Sequence, residues 1–299
     1  MSQQASFRFT SSFDGSSTRG ALRPFKAQLL KWVGNKQRFA YEIALNFPRP
    51  FGRYIEPFLG SAGVLGTVAP KRGLAGDALK PLAQLWATVG SEPRRVKRWY
   101  KSRFDLMEKI GKKETYERVR KSYNDSPNPA DLLFLSRACY GGVMRFRKDG
   151  YISTPCGAHA LMSAETFSRR VEVWHERLAG SEIRHADFEE TIEEAKRGDV
   201  VYCDPPYMHT QRILYGSQAF SFDRLFNAIE RAKRKGAFVA LSIDGTKKSG
   251  AVLCDVTIPK SLFAREVRVN CGRSMLRRFQ MSGRSLETEH VTDRLLLTS

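Results

Sequence analysis

The sequence of 299 residues has little cysteine or histidine, with five of each. The cysteines are Cys139, Cys156, Cys203, Cys254 and Cys271, which are widely spaced and form no C-x-x-C pair. An odd number of scattered cysteines indicates reduced thiols in a cytosolic protein rather than a disulfide framework. The histidines form no H-E-x-x-H motif and no close pair, so the sequence predicts no metal site.

Long apolar runs are also missing from the sequence. No uninterrupted run approaches the about 20 residues of a transmembrane helix, so we expect no membrane partner. Residues 1–20 are rich in Ser, Thr and Gln, and we expect a mobile lead-in there rather than a secretory signal. The G-x-S-x-G and G-x-x-x-x-G-K-[ST] motifs are missing too, which argues against hydrolases and nucleoside triphosphatases that depend on them.

Acidic residues are scarce relative to basic ones. The chain has 50 Lys and Arg against 31 Asp and Glu, for a net charge of +19 and a pI of about 10.0. The excess is uneven, because residues 91–150 hold 16 basic and 8 acidic side chains. A basic surface of this size is typical of proteins that bind a polyanion, and the sequence therefore predicts a nucleic acid partner.

The most informative motif is Asp204-Pro205-Pro206-Tyr207, which follows the apolar run Val200–Cys203. The run predicts a short buried strand, and the two prolines end it because they lack the N–H that a ladder needs. Ligands of open α/β sheets bind beyond the carboxyl ends of strands. There, Asp204 and the Pro205 carbonyl could accept the two hydrogen bonds of an exocyclic amine while Tyr207 stacks on its ring. A proline-rich turn with a surface tyrosine is the alternative interpretation.

A second candidate site lies upstream in the segment Tyr54–Val64, where a short strand ends at an acid-proline pair before an apolar helical pattern. Gly60 and Gly63 would let the backbone approach a ligand, although their spacing is not the G-x-G-x-x-G of dinucleotide sites. Asp77 ends the next apolar run, close to where nucleoside-binding sheets place an acid for ribose hydroxyls. A solvated turn aspartate is the alternative interpretation of Asp77.

The periodicities predict an α/β protein in which strands and helices alternate around a mainly parallel sheet. The strand candidates are Tyr54–Glu56, Leu74–Asp77, Glu182–Ala186, Val200–Cys203, Ala237–Ile243, Val252–Ile258, Ala264–Val269 and Val291–Leu297. Residues 91–180 are instead helix-rich and contain a predicted hairpin between Gly141 and Gly157. We therefore expect one α/β domain built from residues 21–90 and 181–299, with residues 91–180 inserted as a smaller, helix-rich unit.

Three motifs in order give the chain a family resemblance: Lys31–Lys36 (KWVGNK), Glu56–Gly63 (EPFLGSAG) and Asp204–Tyr207 (DPPY). The chain resembles the Dam-type alpha group of DNA adenine methyltransferases, which use S-adenosylmethionine. The resemblance implies a Rossmann-like methyltransferase sheet with a C-terminal antiparallel strand. It also implies double-stranded DNA as partner, a catalytic domain of residues 21–90 and 181–299 with residues 91–180 as its DNA-binding, target-recognition insertion, and a bacterial, phage- or plasmid-encoded origin. We also expect a monomer in a cytoplasmic setting. The cofactor contacts that the resemblance implies are Trp32, Lys36, Glu56, Phe58, Gly60, Gly63, Asp77, Asp187, Phe188 and Asp204.

The segment Ser136–Arg147 is similar to the family's DNA-reading hairpin. By this resemblance Tyr140 would wedge into the duplex beside the target base, and Arg137 and Arg145 would contact phosphates or guanine edges. Arg147 and Lys148 complete the expected DNA contacts. The chain has Ser136, Gly141 and Arg147 where well-known members carry asparagine, which leaves the recognised DNA sequence open.

The reaction that the resemblance implies is direct in-line methyl transfer from S-adenosylmethionine to the N6 amine of an adenine that has been flipped out of the duplex. The catalytic residues would be Asp204, Pro205, Pro206 and Tyr207. Related tetrapeptides also serve enzymes that methylate an RNA adenine or a protein glutamine. These acceptors, and a non-catalytic DNA-binding relative, are the alternatives that the sequence leaves open.

Overall fold

The computed structural model of the protein describes residues 22–147, 149–206, 220–247, 252–253, 257–273, 280–281, 284–285 and 290–299. Within these ranges the α-helices are α1 (Ala40–Ala44), α2 (Gly63–Val68), α3 (Lys80–Ser91), α4 (Pro93–Ile110), α5 (Lys112–Asp125), α6 (Pro129–Ala138), α7 (Ala164–Leu178), α8 (Phe188–Glu193) and α9 (Phe222–Arg234). The strands are β1 (Tyr54–Glu56), β2 (Gly73–Asp77), β3 (Ser181–His185), β4 (Val200–Cys203), β5 (Phe238–Lys247), β6 (Val252–Leu253), β7 (Arg265–Arg273), β8 (Gln280–Met281), β9 (Arg284–Ser285) and β10 (His290–Leu297). Short 3₁₀ turns cover Lys36–Arg38 and Tyr140–Gly142.

The main sheet has the strand order β3-β2-β1-β4-β5-β10-β7, with the short β6 paired to β5. The first five strands of this order pair in parallel, whereas β10 is antiparallel to both β5 and β7. Every residue of β1 and β4 is buried, as expected for central strands that are covered on both faces. The predicted α/β class, with a mainly parallel sheet and an antiparallel C-terminal strand, is confirmed.

Two apolar layers cover the sheet. Val201 of β4 packs with α8 and α9 on one face, and Tyr202 faces the opposite layer. That opposite layer continues without a break into the helix-rich segment, where the rings of Trp86 and Trp174 lie 4.7 Å apart and Tyr100 stacks on Phe167 at 3.9 Å. The helix-rich segment therefore shares a core with the sheet. The proposed domain boundaries near residues 91 and 180 stay predictions.

Some sequence-based predictions need correction or lie outside the described ranges. The predicted strand Val252–Ile258 is described as a strand only at Val252–Leu253, and Ile258 lies in an irregular segment. The predicted lead-in of residues 1–20 lies outside the described residues. In the part of the chain that the structure covers, no helix combines the length and the apolar character needed to cross a membrane.

Candidate active site

Asp204 follows the central strand β4 directly, between the ends of β1 and β5. Its side chain is 18% exposed, and its Oδ1 lies 3.0 Å from the Nζ of Lys36. Pro205 behind it is buried, and Pro206 is half-buried. The end of the strand thus holds a carboxylate at the floor of a crevice, as its proline-terminated sequence predicts.

Lys36 bridges two carboxylates at this point. Its Nζ lies 3.0 Å from Asp204 Oδ1 and 3.0 Å from Oδ2 of Asp293 on β10, and its side chain is 5% exposed. Burial opposes the charge on Lys36, but the attraction of Asp204 and Asp293 outweighs it and raises the pKa of the lysine above its ordinary value. The ammonium is therefore held in its charged form inside the protein.

The loop between β1 and α2 is held from two sides at Gly60. The Gly60 N–H donates to Asp77 Oδ2 at 2.9 Å, and the indole Nε1 of Trp86 donates to the Gly60 carbonyl at 2.9 Å. Gly60 has φ +48°, a left-handed conformation that favours glycine. Asp77 at the end of β2 therefore orders the loop and also faces the crevice.

Gly63 has a packing role in addition to its place in the loop. A Cβ at this position would lie 2.8 Å from the backbone nitrogen of Gln37, in the 3₁₀ turn that carries Lys36. Asn35 caps that turn, because its Oδ1 accepts a 2.8 Å hydrogen bond from the same nitrogen. Because Gly63 has no side chain, the 3₁₀ turn can pack closely against the N-terminus of α2, with Lys36 paired to Asp204.

An aromatic cluster lies on the other side of the loop, at the start of α8. Phe58 and Phe188 stack with ring centroids 5.1 Å apart, and Phe220 contacts both rings. Asp187 caps α8 by accepting from the Glu189 N–H at 2.9 Å. Its Oδ1 also accepts a 3.0 Å hydrogen bond from the guanidinium of Arg224, whose Cζ lies 4.9 Å from the centre of the Phe188 ring.

A single cavity of about 410 Å³ joins these features. It is lined by every residue predicted to contact the cofactor: Trp32, Lys36, Glu56, Phe58, Gly60, Gly63, Asp77, Asp187, Phe188 and Asp204. Pro206 lines it too. The structure thus brings together residues from five separate sequence segments around a cavity within the size range of small-molecule sites. Within the described residues, no group of three or more His, Cys, Asp or Glu side chains could hold a metal ion.

Burial shifts the titration of two carboxyl groups in the cavity. The pKa of Glu56 rises to about 8 because the side chain is buried, and the charge of Asp204 adds to that rise against the hydrogen bond from Tyr54. Burial also raises the pKa of Asp77, although the N–H groups of Leu79 and Gly60 oppose the rise by hydrogen bonding to the carboxylate. Glu56 is therefore largely neutral at pH 7.

The predicted DNA-reading hairpin lies beside the cavity. Its residues Phe146 and Gly150 line the cavity wall. Tyr140 is 50% exposed, and Arg145 and Arg147 are exposed as well. The guanidinium of Arg147 pairs with Asp149 at 3.2 Å, at the tip of the hairpin. Lys148 and Tyr207, which we predicted to contact DNA and to stack on the target base, lie outside the described residues.

Arg137 differs in its placement from the other predicted DNA contacts. The residue is only 6% exposed, and its Nη1 donates a 2.7 Å hydrogen bond to the carbonyl of Leu29. The guanidinium faces inward because α6 is buried along its length between neighbouring helices. The structure therefore corrects our expectation of a surface contact and gives Arg137 a packing role.

Several residues of the site were not predicted from the sequence. Asp293 is buried beside Lys36, and Phe220, Tyr123 and Phe146 line the cavity. Asp293 leaves one signal, since it is an acid in the apolar C-terminal strand pattern that ends in Leu295–Leu297. The aromatic residues leave none, because a buried ring in a helix or loop looks the same in sequence whether it faces a core or a cavity.

Comparison with known proteins gives the family of the chain. It is 24% identical over 262 residues to the type II methyltransferase M1.LlaDCHI of Lactococcus lactis subsp. cremoris, covering 80% of this chain and 87% of that protein. It is 27% identical to the retron Ec67 DNA adenine methylase of Escherichia coli, covering 82% and 87%. It is 26% identical to a DNA adenine methylase of Vibrio cholerae, covering 71% and 79%. The family model for D12 class N6 adenine-specific DNA methyltransferases matches residues 32–261, so the chain belongs to that family.

Proposed function

We propose that the cavity binds S-adenosylmethionine next to an adenine flipped out of duplex DNA, and that Asp204 accepts a hydrogen bond from the adenine amine during methyl transfer. Membership of the family answers the question that the sequence left open, because the acceptor is adenine in DNA rather than RNA or a protein amide. The observation that carries the proposal is the continuity of the cavity from the Gly60 loop to Asp204.

The residues around the cavity fit S-adenosylmethionine in their chemistry. Phe58 and Phe188 stack on each other and line the cavity together with the carboxylate of Asp187, so an adenine ring could pack against this aromatic wall while its amine donates to Asp187. Asp77 offers carboxylate oxygens near the loop, where ribose hydroxyls can donate. Trp32 is buried against the same space. When bound, the cofactor supplies an electrophilic methyl group on a positively charged sulfur.

Asp204 would act on the acceptor amine. Methylation of a neutral amine places positive charge on the nitrogen as the new bond forms, and a carboxylate at hydrogen-bonding distance stabilises that charge more than it stabilises the ground state. The Pro205 carbonyl is proposed as the second acceptor and Tyr207 as the stacking ring. No covalent intermediate with the enzyme is needed, because the methyl group would pass directly from the sulfur to the amine nitrogen when the cavity holds both reactants side by side.

The hairpin is the proposed DNA contact. Exposed Arg145 and Arg147 lie beside the cavity and can reach phosphates or guanine edges, and exposed Tyr140 can fill the gap left by the flipped base. Lys148 is proposed as a further contact on sequence grounds alone. Flipping costs a few kcal/mol of unstacking, which stacking in the pocket and the wedge at Tyr140 would offset. A monomeric state and a cytoplasmic setting stay predictions.

Methylation-sensitive long-read sequencing tests the proposed function. The protein is expressed in a bacterium without its own adenine methylases, and the genome is sequenced beside that of cells expressing Asp204→Asn. We expect N6-methyladenine at one short recurring sequence with the unaltered protein and none with the variant. Equal methylation by Asp204→Asn, or no modified adenine with either protein, would contradict the proposal.

A binding measurement separates loss of chemistry from loss of the fold. Asp204→Asn keeps the size of the side chain, so we expect duplex DNA and S-adenosylmethionine to bind within about threefold of the unaltered protein. Loss of both affinities together with a lower unfolding temperature would mean that Asp204 has a structural role instead.

A further inference from the structure

The lysine that contacts the Asp204 carboxylate is shared with a second buried acid. Lys36 Nζ lies 3.0 Å from Asp204 Oδ1 and 3.0 Å from Asp293 Oδ2, and the Asp293 side chain is 7% exposed. A buried charge is costly unless it is paired. The arrangement is therefore one cation between two anions, with a formal net charge of −1.

The three side chains come from elements that are far apart in the sequence. Lys36 lies in the 3₁₀ turn packed against Gly63, and Asp204 ends β4. Asp293 lies on β10, where its register partner on β5 is Asp244. Because β5 separates β4 from β10, the lysine reaches across the carboxyl edge of the sheet to join the two carboxylates. Only the folded sheet creates this group.

We propose that Asp293 is a positioning residue for methyl transfer, acting through Lys36 to fix the Asp204 carboxylate and to preserve its negative potential toward the acceptor amine. The inference rests on the proposed function of Asp204. A lysine paired with Asp204 alone would orient it but would also cancel its charge. The second carboxylate compensates for the lysine charge, so Asp204 stays both oriented and electron-rich for the charge that develops on the amine.

Burial raises the pKa of the titratable groups that β1 and β4 place beside this trio. From β1, burial raises the pKa of Glu56 to about 8 and raises that of Tyr54 well above its usual range. From β4, burial and then the charge of Asp204 raise the pKa of Tyr202 and of the Cys203 thiol. The ion pairs place the charge of Lys36 in contact with Asp204 and the charge of Asp293 in contact with Lys36.

Substitutions of Asp293 and of Lys36 should have different effects on the reaction. Asp293→Asn leaves Lys36 to neutralise Asp204, so kcat should fall about tenfold or more while KM for DNA and the affinity for S-adenosylmethionine stay within about threefold. Lys36→Met leaves two buried carboxylates side by side, so one should hold a proton and the acid limb of the kcat/KM profile should move up by about 1 to 2 pH units.

The double variant Lys36→Met/Asp293→Asn gives the sharpest readout. It removes the cation together with the repelling carboxylate, so its acid limb should return toward that of the unaltered protein and its activity should exceed that of Lys36→Met. If Asp293 had only a structural role, the second substitution would lower the activity further instead of restoring it. The experiment measures kcat and kcat/KM for methylation of duplex DNA from about pH 5.5 to 9, with cofactor binding by calorimetry.

Asp131→Asn is the matched control, because Asp131 is a buried acid paired with an arginine, Arg103, in the helix-rich segment and does not line the cavity. We expect it to lower the unfolding temperature without moving the pH profile. If Asp293→Asn fails to fold, Asp293→Glu keeps the charge and should keep the unaltered pH profile with a reduced kcat.

The results also separate this inference from the proposed function. Unchanged activity in Asp204→Asn would defeat the proposed function itself. Two results would contradict the role of Asp293 while Asp204→Asn is inactive. In the first, Asp293→Asn or Asp293→Glu has the same kcat and pH profile as the control. In the second, the double variant is no more active than Lys36→Met.

Discussion

The phenolic hydroxyl of Tyr54 donates a 2.6 Å hydrogen bond to the Glu56 carboxyl group, and both side chains are buried in the sheet below the cavity. The two residues lie on the same face of β1 because side chains alternate along a strand. Burial raises the pKa of Glu56 to about 8 despite this bond. A carboxyl group that stays protonated at neutral pH makes the stability of the protein depend on pH.

The sign of this dependence follows from the direction of the shift. Because the pKa of Glu56 is higher in the folded protein than in the unfolded chain, the folded state holds a proton that the unfolded chain releases above about pH 4.5. The corresponding stability is fully present below about pH 4.5, is lost as the pH rises to about 8, and changes little above that. We expect Glu56→Gln to remove this loss, so the unfolding temperature of the variant should rise relative to that of the unaltered protein between about pH 4.5 and 8.

Thermal unfolding at several pH values checks this prediction. Glu165→Gln is the control, since the Glu165 side chain is 79% exposed and its removal should give the same small difference at every pH. A pH-independent difference for Glu56→Gln would mean that Glu56 is ionised in the folded protein at neutral pH.

Asp187→Asn should weaken cofactor binding without unfolding α8. Asparagine caps helices as well as aspartate does, so the hydrogen bond from the Glu189 N–H can persist. The substitution removes the charge that pairs with Arg224 and replaces an acceptor oxygen with a donor. We expect the affinity for S-adenosylmethionine to fall by about tenfold or more in calorimetry.

Glu190→Gln is the matched control for Asp187→Asn, because Glu190 is an exposed acid in the first turn of the same helix and does not line the cavity. We expect its cofactor affinity to match that of the unaltered protein. An equal loss in both variants would point to the general charge of the helix start rather than to a contact with the cofactor.

Arg145→Ala should reduce DNA binding or sequence selectivity. Arg145 is exposed on the hairpin beside the cavity. If its guanidinium reads a base, discrimination at one position of the site should fall by about 1 to 3 kcal/mol; if it contacts phosphate, binding should weaken for all sequences and become less salt-dependent. Binding to the methylated sequence and to single-base changes, at two salt concentrations, distinguishes the two roles.

Arg169→Ala makes the same change of charge on α7, where Arg169 is exposed and paired with Glu165. We expect little effect on DNA affinity from this control. Equal weakening by both substitutions would show that Arg145 acts only through the net charge of the protein.

Arg137→Ala should destabilise the protein rather than change its choice of DNA sequence. The substitution empties a buried space and leaves the carbonyl of Leu29 without the Arg137 donor, at a cost of about 2 to 4 kcal/mol. Arg118→Ala, on the exposed side of α5, should stay within about 0.5 kcal/mol. Denaturant unfolding measures both. Unchanged stability combined with weaker DNA binding would return Arg137 to the DNA interface.

The sequence was most informative where a short motif carries its own geometry. An apolar run forms the central strand, and the proline pair after Asp204 ends it. The place of Asp204 in the fold could therefore be predicted from neighbouring residues. Gly60 could be recognised as a loop residue in the same way. The cavity confirms that these two motifs lie together. It does not test the contacts that we assign to each residue.

Sequence reasoning failed where burial decides the role of a side chain. Arg137 lies in a segment that resembles a DNA-reading hairpin, but its helix is packed on all sides and its guanidinium faces inward. Lys36 lines the cavity as a predicted cofactor contact, but the sequence did not indicate that its ammonium lies between two carboxylates. A single sequence gives a charged residue no direction, because its neighbours in space come from other elements.

The sequence by itself determined the class of fold, the ends of the central strands, the basic surface and the motifs of an adenine methyltransferase, since these depend on local pattern and composition. Only the tertiary structure decided that Asp293, from the last strand, meets Lys36 and Asp204 near the cavity floor. Sheet order and register depend on cooperative packing across the whole chain, and no local pattern specifies which buried acid will face which buried lysine.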